Sequence, residues 1–398
     1  MRPLTTPNPA RQDVQAGCEE RHMGWKGSII EVPVWLGSKI APTLEHVPAE
    51  PDSIFVLRNN DIGDLLVTTP LFQALRERFP NSRIVAGVGN WNTEVLQHNP
   101  YIDEVLAVNA PWNNKFTAPQ RTRDVVRYIW FSKEARQIAD KRFDIGIDVL
   151  GSHVGSALMM RAGIPYRLGV KGYRGGHSAA RKHVTYNDAE HVGRSALRFA
   201  ELLGATKLPT SRPQIFLSGE EREIGQRRWL QSVQGAGKPV RIVVGPGGGF
   251  PEKCWPSPCY AELMECLTQC PGVKIIVVGG KQDRETGSML AGAARAARSL
   301  AGELTLRETF ALVAASDLVI CNPSMLLHVA AAFRKMSFVL LGEYFPSAAQ
   351  HQVQWGYPET CWTLGKDHGH PDIFQAQEAF DFIIRTGVLG GLLCSDGA

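Results

Sequence analysis

Short apolar runs alternate with amphipathic stretches along most of the chain. The first run, Ile54–Leu57 (IFVL), is short and contains β-branched residues, which predicts a buried strand. A turn at Gly63 follows, and the apolar residues from Leu65 to Phe79 then recur at the spacing of one helix. Further strands are predicted at Arg83–Val88 and Phe143–Val149. Strands that alternate with helices indicate parallel βαβ units in a doubly wound sheet.

The pattern stops at the Pro- and Ser-bearing segment Thr206–Pro213 and then starts again. Four more apolar runs predict a second set of strands: Val240–Val244, Lys274–Val278, Asp317–Ile320 and Ser337–Leu341. A chain of 398 residues suits two domains, which we place at 51–208 and 209–398 after an amino-terminal extension, 1–50. The predicted fold is α/β, with two Rossmann-like doubly wound parallel sheets. Ligands of such sheets bind at the carboxyl ends of the strands, but the fold alone does not separate transferases from dehydrogenases or epimerases.

The extension is broken up by Pro, Gly and polar residues, apart from an apolar piece at Ile29–Ile40. Two placements remain open for this piece: packing on the following domain, or lying on a membrane surface. The chain contains no run of about 20 apolar residues that would span a bilayer. Its start also lacks the charged and apolar regions of a secretory signal, so we expect a cytoplasmic protein.

Composition narrows the class of protein further. A 44% hydrophobic and 21% charged chain is globular, and a net charge of +4 is too mild for a dedicated nucleic-acid binder. The eight cysteines are scattered without C-x-x-C spacing, which indicates reduced thiols. The densest group, Cys254 to Cys270, does not match common zinc spacings, so we predict buried thiols and no metal.

The turn Arg58–Asp64 (RNNDIGD) lies between a predicted strand and a predicted helix. In one interpretation Asp61 caps the helix and Asp64 interacts favourably with its dipole. In the other, Asp64 is a general base beside a cleft between the domains.

The loop Gly245–Pro256 (GPGGGFPEKCWP) also follows a predicted strand. Its glycines allow the backbone to approach a ligand, and Lys253 on the same loop can pair with phosphate. Phe250 stands where the dinucleotide fingerprint has its last glycine, so this is not a Rossmann G-x-G-x-x-G motif. A plain tight turn fits the pattern equally well.

The segment Asn322–Ala332 carries a helix-start signal, with Asn322 as N-cap and Pro323 at the first helical position. The free N–H groups of such a helix start suit a diphosphate. A purely structural helix, with His328 as a packing histidine, is the alternative.

A basic run extends from Arg161 to His183 and contains no acidic residue. Runs of this kind are usually solvated faces. Its glycines indicate a loop, and Lys171 and Arg174 within it are suited to an anionic acceptor.

These segments, in this order, resemble glycosyltransferase family 9, the ADP-heptose:lipopolysaccharide heptosyltransferases. The likeness covers roughly residues 53 to 385 and rests on five motifs in register: the Gly-Asp turn and Thr-Pro helix of Arg58–Pro70, the Asn-Pro-x-Ile-Asp-Glu-Val segment within Pro80–Val108, the Lys-x-Trp-Pro loop Gly245–Pro256, the Ala-Gly and Leu-x-Glu segment Leu300–Glu308, and the His-x-Ala-Ala helix of Ser316–Ala332. The resemblance implies the GT-B fold, in which two domains face a cleft. The amino-terminal domain takes the acceptor and the carboxy-terminal domain takes the nucleotide sugar.

The resemblance also implies a reaction: inverting transfer of heptose from ADP-heptose to a lipopolysaccharide core or related glycan, without metal or cofactor. Asp64 falls on the position of the general base. The donor side receives Lys253, which neutralises phosphate, together with Gly247, Gly248, Ser324, Met325 and His328; the acceptor side receives Arg58, Lys171 and Arg174. The expected partners are ADP-heptose and an anionic saccharide or lipid-linked acceptor, with no nucleic acid. If the acceptor is lipid-linked, the resemblance also allows peripheral contact with the cytoplasmic face of the inner membrane.

One departure from the family pattern bears on the donor. The family usually has Asp-Ser/Thr-Gly before its histidine helix, where this chain has Pro323, Ser324 and Met325. The carboxylate that contacts the donor sugar is missing, and methionine adds bulk beside the phosphates. Two alternatives therefore stay open beside heptose transfer: a GT-B enzyme with a different nucleotide sugar, and a non-catalytic nucleotide- or glycan-binding relative. A nucleotide-sugar epimerase or dehydrogenase is a more distant one.

Overall fold

The computed structural model describes residues 25–117, 120–232, 239–365 and 374–394. Two six-stranded parallel sheets organise the chain, one in each half. The strands are β1 Ser53–Leu57, β2 Arg83–Val88, β3 Glu104–Ala107, β4 Ile145–Asp148, β5 Tyr166–Lys171, β6 Lys182–Thr185, β7 Val240–Gly245, β8 Val273–Val277, β9 Ala297–Ser299, β10 Leu318–Cys321, β11 Met336–Leu340 and β12 Cys361–Leu364.

The two sheets have the same topology. The first has the order β3-β2-β1-β4-β5-β6, and the second, read from β9, has the order β9-β8-β7-β10-β11-β12. The order reverses between β1 and β4 in one sheet and between β7 and β10 in the other, which is where doubly wound sheets bind ligands. The prediction of two Rossmann-like doubly wound parallel sheets is confirmed.

Helices cover the sheets and join the strands. They are α1 Trp25–Ile40, α2 Ile62–Leu66, α3 Thr69–Arg78, α4 Thr122–Phe131, α5 Lys133–Asp140, α6 His153–Arg161, α7 Val192–Leu202, α8 Gly219–Ser232, α9 Ser257–Gln269, α10 Arg284–Ala293, α11 Leu306–Ala314, α12 Met325–Ala332, α13 Ala348–Trp355, α14 Ala376–Arg385 and α15 Val388–Cys394. Short 3₁₀ helices lie at Asn90–Leu96, His177–Ala179, Pro251–Lys253 and Lys281–Asp283.

The single helix predicted after Gly63 is two helices in the structure, α2 and α3. The break falls at Val67 and Thr68, and Pro70 lies in the first turn of α3. Proline has no amide N–H, so it is well placed in a first turn and poorly placed inside a longer helix. The consequence is a very short α2, which presents Asp64 in its first turn.

Glycines of the basic run 161–183 do lie in a loop, at 172–176, but most of the run is regular structure. The run contains β5, the 3₁₀ helix and the start of β6. Arg167, on β5, is buried and donates to the carbonyls of Ala179 (3.0 Å) and Pro42 (2.7 Å). Part of the positive charge of the run is therefore structural, because it satisfies buried carbonyl groups.

Helix α1 packs on the amino-terminal half, so packing on the domain is realised. The carboxylate of Glu31 accepts hydrogen bonds from the backbone N–H groups of Gly176 and Ser178 (3.2 Å for Ser178). Gly37 lies against α6, where an added Cβ would be 3.3 Å from Met160 Cε. No helix in the described part of the chain is long and apolar enough to cross a membrane.

The two halves meet at the carboxyl edges of their sheets. Helix α2, which follows β1, packs on α12, which follows β10; a Cβ on Gly63 would lie 3.3 Å from His328 Cδ2. A second contact is made by Arg307, which forms a bidentate ion pair with Glu221 (2.6 Å for both bonds) and donates to the carbonyl of Glu94 (3.1 Å). The carboxyl edges therefore face each other across a cleft, as the resemblance implied.

Candidate functional site

Arg58 and Asp64 form an ion pair at the carboxyl end of β1. Arg58 Nη2 lies 3.3 Å from Asp64 Oδ1, and Arg58 Nε donates to the Asp64 carbonyl (3.2 Å). The other carboxylate oxygen accepts from the backbone N–H of Asp61 (3.3 Å), which closes the first turn of α2. The Asp64 side chain is nevertheless 31% exposed, so its structural role leaves it open to a ligand.

A second carboxylate, Asp148, lies at the end of the neighbouring strand β4. It is buried and accepts from the backbone N–H groups of Ser152 (2.8 Å) and Gly151 (3.1 Å). Burial raises the pKa of Asp148. These hydrogen bonds and, to a smaller extent, the charge of Arg58 oppose that shift. Arg58 therefore stands near two acids, of which only Asp64 is open to solvent. The sequence marked Asp148 only as a strand residue.

A cavity of about 210 Å³ opens beside this pair. Most of its wall comes from the carboxyl edge of the first sheet, and Gln354 and Trp355 of α13 close it from the other half. Tyr173 and Tyr186 stack with their ring centroids 4.8 Å apart, and Gln354 Nε2 lies 3.5 Å from the Tyr186 hydroxyl. Polar and aromatic groups around one cavity are suited to a sugar, which offers hydroxyl groups and apolar ring faces.

Of the two cations predicted for the acceptor from the basic run, the structure brings one to this cavity. Arg174 lines it, and its Nη1 donates to Asn113 Oδ1 (3.0 Å), another lining residue. Lys171 is exposed at the end of β5 and lies outside the cavity lining. The aromatic and amide lining residues carried no sequence signal of their own, because they become neighbours only through the fold.

Lys253 lies on the other side of the cleft, at the end of the short 3₁₀ helix after β7. Its Nζ is 4.7 Å from the ring centroid of Phe250, 5.2 Å from that of Tyr344 and 5.6 Å from that of Phe345. Aromatic faces stabilise a cation in this way without neutralising it. Burial lowers the pKa of Lys253, and the negative charges of Asp64 and Asp61 oppose that shift.

Asp61 is a second acid whose charge acts on Lys253, and the sequence did not assign it to the site. Its Oδ1 is buried and has no hydrogen-bond partner among the described atoms. Burial, followed by the nearby charge of Asp64, raises its pKa. Sequence reasoning treated Asp61 as a helix cap, and it does precede α2 at the N-cap position.

Gly247 and Gly248 are packed too closely for a side chain. A Cβ on Gly247 would be 2.7 Å from Asp283 Oδ2, and one on Gly248 would be 2.8 Å from Cys254 Sγ. The two positions therefore leave the loop without side chains at the carboxyl edge of the second sheet, where both residues are half-buried. This packing explains the glycines without a ligand.

The prediction that Asn322 caps a helix with Pro323 at its first position is wrong. The helix begins at Met325 with Ser324 as its N-cap. Asn322 is buried and instead holds the glycine loop: its side-chain amide donates to the Pro246 carbonyl, and its Oδ1 accepts from the backbone of Trp255 (2.9 Å). Three residues, Asn322 to Ser324, thus separate the strand end from α12.

Around the start of α12, the Ser324 hydroxyl is buried beside the Cys321 thiol. Met325 lies at the contact between the halves, with its Cα 3.7 Å from where a Cβ on Gly63 would be. His328 is buried, its Nδ1 is 2.9 Å from the Tyr357 hydroxyl, and burial lowers its pKa to about 3. His328 is therefore a neutral histidine at neutral pH.

Comparisons with known proteins agree with this architecture. A family model described as glycosyltransferase family 9 (heptosyltransferase) matches residues 132–356. Lipopolysaccharide heptosyltransferase 2 of Escherichia coli is 25% identical over 309 residues, which are 74% of this chain and 83% of that protein.

Two solved structures are similar in fold. The glycosyl transferase family 9 structure from Veillonella parvula has a TM-score of 0.68 and 20% identity, covering 86% of this chain and 91% of that one. The E. coli ADP-heptose lipopolysaccharide heptosyltransferase II has a TM-score of 0.66 and 22% identity, covering 87% and 100%. The predicted GT-B arrangement is confirmed.

Proposed function

The chain belongs to glycosyltransferase family 9, and we propose that it transfers heptose from ADP-heptose to a lipopolysaccharide core or related glycan, with inversion at the anomeric carbon. The proposal is supported by relatives whose names state lipopolysaccharide heptosyltransferase and ADP-heptose. The observation that carries it is the arrangement of the cleft. The exposed carboxylate of Asp64 borders a cavity in the amino-terminal half. Lys253, in the carboxy-terminal half, interacts with that carboxylate through its charge.

On the acceptor side, Asp64 acts as the general base. The acceptor hydroxyl gives its proton to the Asp64 carboxylate while its oxygen attacks the anomeric carbon of the donor sugar. Arg58 holds that carboxylate in position through the 3.3 Å contact. Arg174, Tyr173 and Tyr186 line the space that the acceptor occupies.

On the donor side, the bond between the anomeric carbon and the phosphate oxygen breaks, and ADP leaves with the electron pair. Lys253 supplies the positive charge that stabilises the departing diphosphate. The bare backbone at Gly247 and Gly248 and the first N–H groups of α12, beyond Ser324 and Met325, contribute hydrogen-bond donors. His328 acts by packing beneath the start of α12 as a neutral side chain.

The acceptor proposed here carries a lipid, which anchors it in a membrane. Peripheral contact with the cytoplasmic face of the inner membrane is part of the proposal for that reason.

A transfer assay tests the proposal. The purified protein is incubated with a heptose-deficient lipopolysaccharide core and, in parallel, with ADP-heptose, a UDP-hexose and a GDP-hexose. We expect the mass of one heptose to be added to the acceptor with ADP-heptose alone. Transfer from a UDP or GDP sugar instead would reject the donor, and no transfer from any of them would reject the activity.

A further inference from the structure

Helix α1 turns one face inward and leaves another face uncovered. The inward face holds Val34, which is buried, and Glu31, which binds the backbone of Gly176 and Ser178. The exposed residues on the outer face are spaced three and four apart, as on one side of a helix: Val32, Trp35, Leu36, Lys39 and Ile40. Ile40 is 89% exposed, although nothing in the packing of α1 requires an apolar residue there.

Helix α4 has an outer face of the same design. Its exposed residues repeat the spacing of α1: Arg123, Val126, Arg127, Trp130 and Phe131. Ile129 is buried on the other side, whereas Trp130 is 55% and Phe131 68% exposed. Large aromatic side chains are normally buried, so two adjacent exposed ones indicate a surface with a partner.

The two faces come together at the carboxyl end of α6. Gly37 of α1 lies against Met160, and the guanidinium of the next residue, Arg161, is 5.6 Å from the Trp130 ring centroid. Helices α1 and α4 therefore both pack on α6, and we call their two outer faces together the α1/α4 face.

The charges of the α1/α4 face indicate the partner. Its exposed ionic side chains on the outer spacing are the cations Lys39, Arg123 and Arg127. Of the acids nearby, Asp124 is half-buried, 3.9 Å from Arg123, and Glu31 points inward. Tryptophan and aliphatic side chains mixed with cations are typical of helices that lie in the interface of an anionic bilayer. A second copy of the chain would bring these like charges together, which is unfavourable.

From these observations we infer that the α1/α4 face docks on an anionic lipid bilayer. Glu31, in the middle of α1, binds the backbone at Gly176, two residues from Arg174, which lines the cavity. A bilayer under α1 is therefore close to the acceptor side of the cleft. The inference rests on the proposed function only in that a lipid-anchored acceptor requires the enzyme at a membrane.

Vesicle binding of the full-length protein tests the inference. Co-sedimentation is measured with phosphatidylcholine vesicles, with and without phosphatidylglycerol, at low and high salt. We expect binding to the anionic vesicles, weakened by salt because it is partly electrostatic. The double variants Trp35→Ser/Ile40→Ser and Trp130→Ser/Phe131→Ser should each weaken it on the order of tenfold, since they remove apolar groups from the interface.

A matched control is available on the other half of the molecule. Leu230 and Ile384 are 67% and 44% exposed, so Leu230→Ser/Ile384→Ser removes exposed apolar groups outside the α1/α4 face and should leave binding unchanged. Equal losses in all three double variants, equal binding to neutral vesicles, or no vesicle binding would overturn the inference. So would a dimer in sedimentation velocity that the Trp35→Ser/Ile40→Ser variant dissociates, which would assign the face to a second copy.

The outcome is independent of the proposed reaction. Transfer to a delipidated, water-soluble acceptor should be the same in the wild type and in both α1/α4 variants, whereas transfer to an acceptor embedded in vesicles should fall with binding. Failure of all transfer would reject the proposed function and leave the vesicle result standing.

Discussion

The two halves share one sheet topology but equip its carboxyl edge differently. In the amino-terminal half, charged and aromatic side chains surround an open cavity: Arg58, Asp64, Tyr173, Arg174 and Tyr186. In the carboxy-terminal half, the same edge offers bare backbone at the glycine loop, a helix start and one cation, Lys253, over aromatic rings. Side chains give shape and proton transfer, while backbone N–H groups and a cation suit a diphosphate. This difference supports the proposal that the acceptor binds to the amino-terminal half and the donor to the carboxy-terminal half.

The largest effect is expected from removing the base. Asp64→Asn keeps the size of the side chain and one of its two acceptor oxygens, but it loses the carboxylate that takes the proton, so kcat should fall by ~10²–10⁴-fold. Steady-state transfer kinetics measure it. Asp140→Asn, at an exposed helix end, is the control and should retain full activity. A nearly unchanged kcat for Asp64→Asn would remove the base from this edge.

The next effect concerns the cation of the other half. Lys253→Ala removes the charge that stabilises the leaving diphosphate, and a kcat loss of about 10²–10³-fold follows from the usual cost of one such contact. Lys281 is an exposed lysine in the short 3₁₀ helix after the neighbouring strand β8, which makes Lys281→Ala the matched control. If both variants lost activity equally, the positive potential of the whole edge, rather than Lys253, would be responsible.

A smaller effect distinguishes two cations of the basic run. Arg174 lines the cavity and Lys171 does not, so Arg174→Glu should raise the acceptor KM about tenfold through the loss of a charge-assisted contact. Lys171→Glu, the same charge change three residues away, should leave it close to the wild-type value. Neither should alter the donor KM. Equal increases in acceptor KM would indicate general electrostatic attraction instead of a contact.

The last effect concerns stability at acidic pH and not activity. His328 has a pKa of about 3 in the folded protein, against an ordinary value of 6.5, because it is buried. Its contribution to stability is fully present above pH 6.5 and is lost as the pH falls towards 3. Between these pH values, protonation of His328 should lower the free energy of unfolding by ~1.4 kcal/mol for each unit by which the pH falls.

Urea unfolding of His328→Gln at several pH values measures that slope. The change in the free energy of unfolding per pH unit should be smaller in His328→Gln than in the wild type, by the amount that one titrating proton contributes. Substitution of the exposed His46 by Gln should leave the slope as it is. An unchanged slope in His328→Gln would mean that the histidine is not held neutral.

The sequence predicted the central strands well, because β1, β2, β4, β7, β8, β10 and β11 are apolar runs buried on both faces. The edge strands β3, β6 and β9 are short and carry exposed or half-buried polar residues, so no apolar run marked them. β5 was hidden inside the basic run, where Arg167 points into the protein and binds carbonyls. Local pattern cannot distinguish such an arginine from a solvated one.

The sequence predicted only those residues of the candidate site that lie within a recognisable motif. Asp64 and Lys253 follow strands at recognisable turns, whereas Asp61 and Asn113 gain their surroundings from contacts between distant segments. Asn322 was misread because Asn-Pro is a helix-start signal, and its buried partners at Pro246 and Trp255 are invisible in the sequence. The roles of all these residues in the reaction stay predictions.

Measurement of ADP binding tests most directly whether the carboxy-terminal half binds the donor and the amino-terminal half the acceptor. Thermal unfolding is followed with and without saturating ADP in the wild type, Lys253→Ala and Asp64→Asn. A ligand at a hundred times its Kd stabilises the fold by ~2.7 kcal/mol, which is visible as a rise in Tm. We expect ADP to raise the Tm of Asp64→Asn as much as that of the wild type, and to raise the Tm of Lys253→Ala clearly less. Loss of the ADP effect in Asp64→Asn, with the full effect in Lys253→Ala, would contradict this expectation.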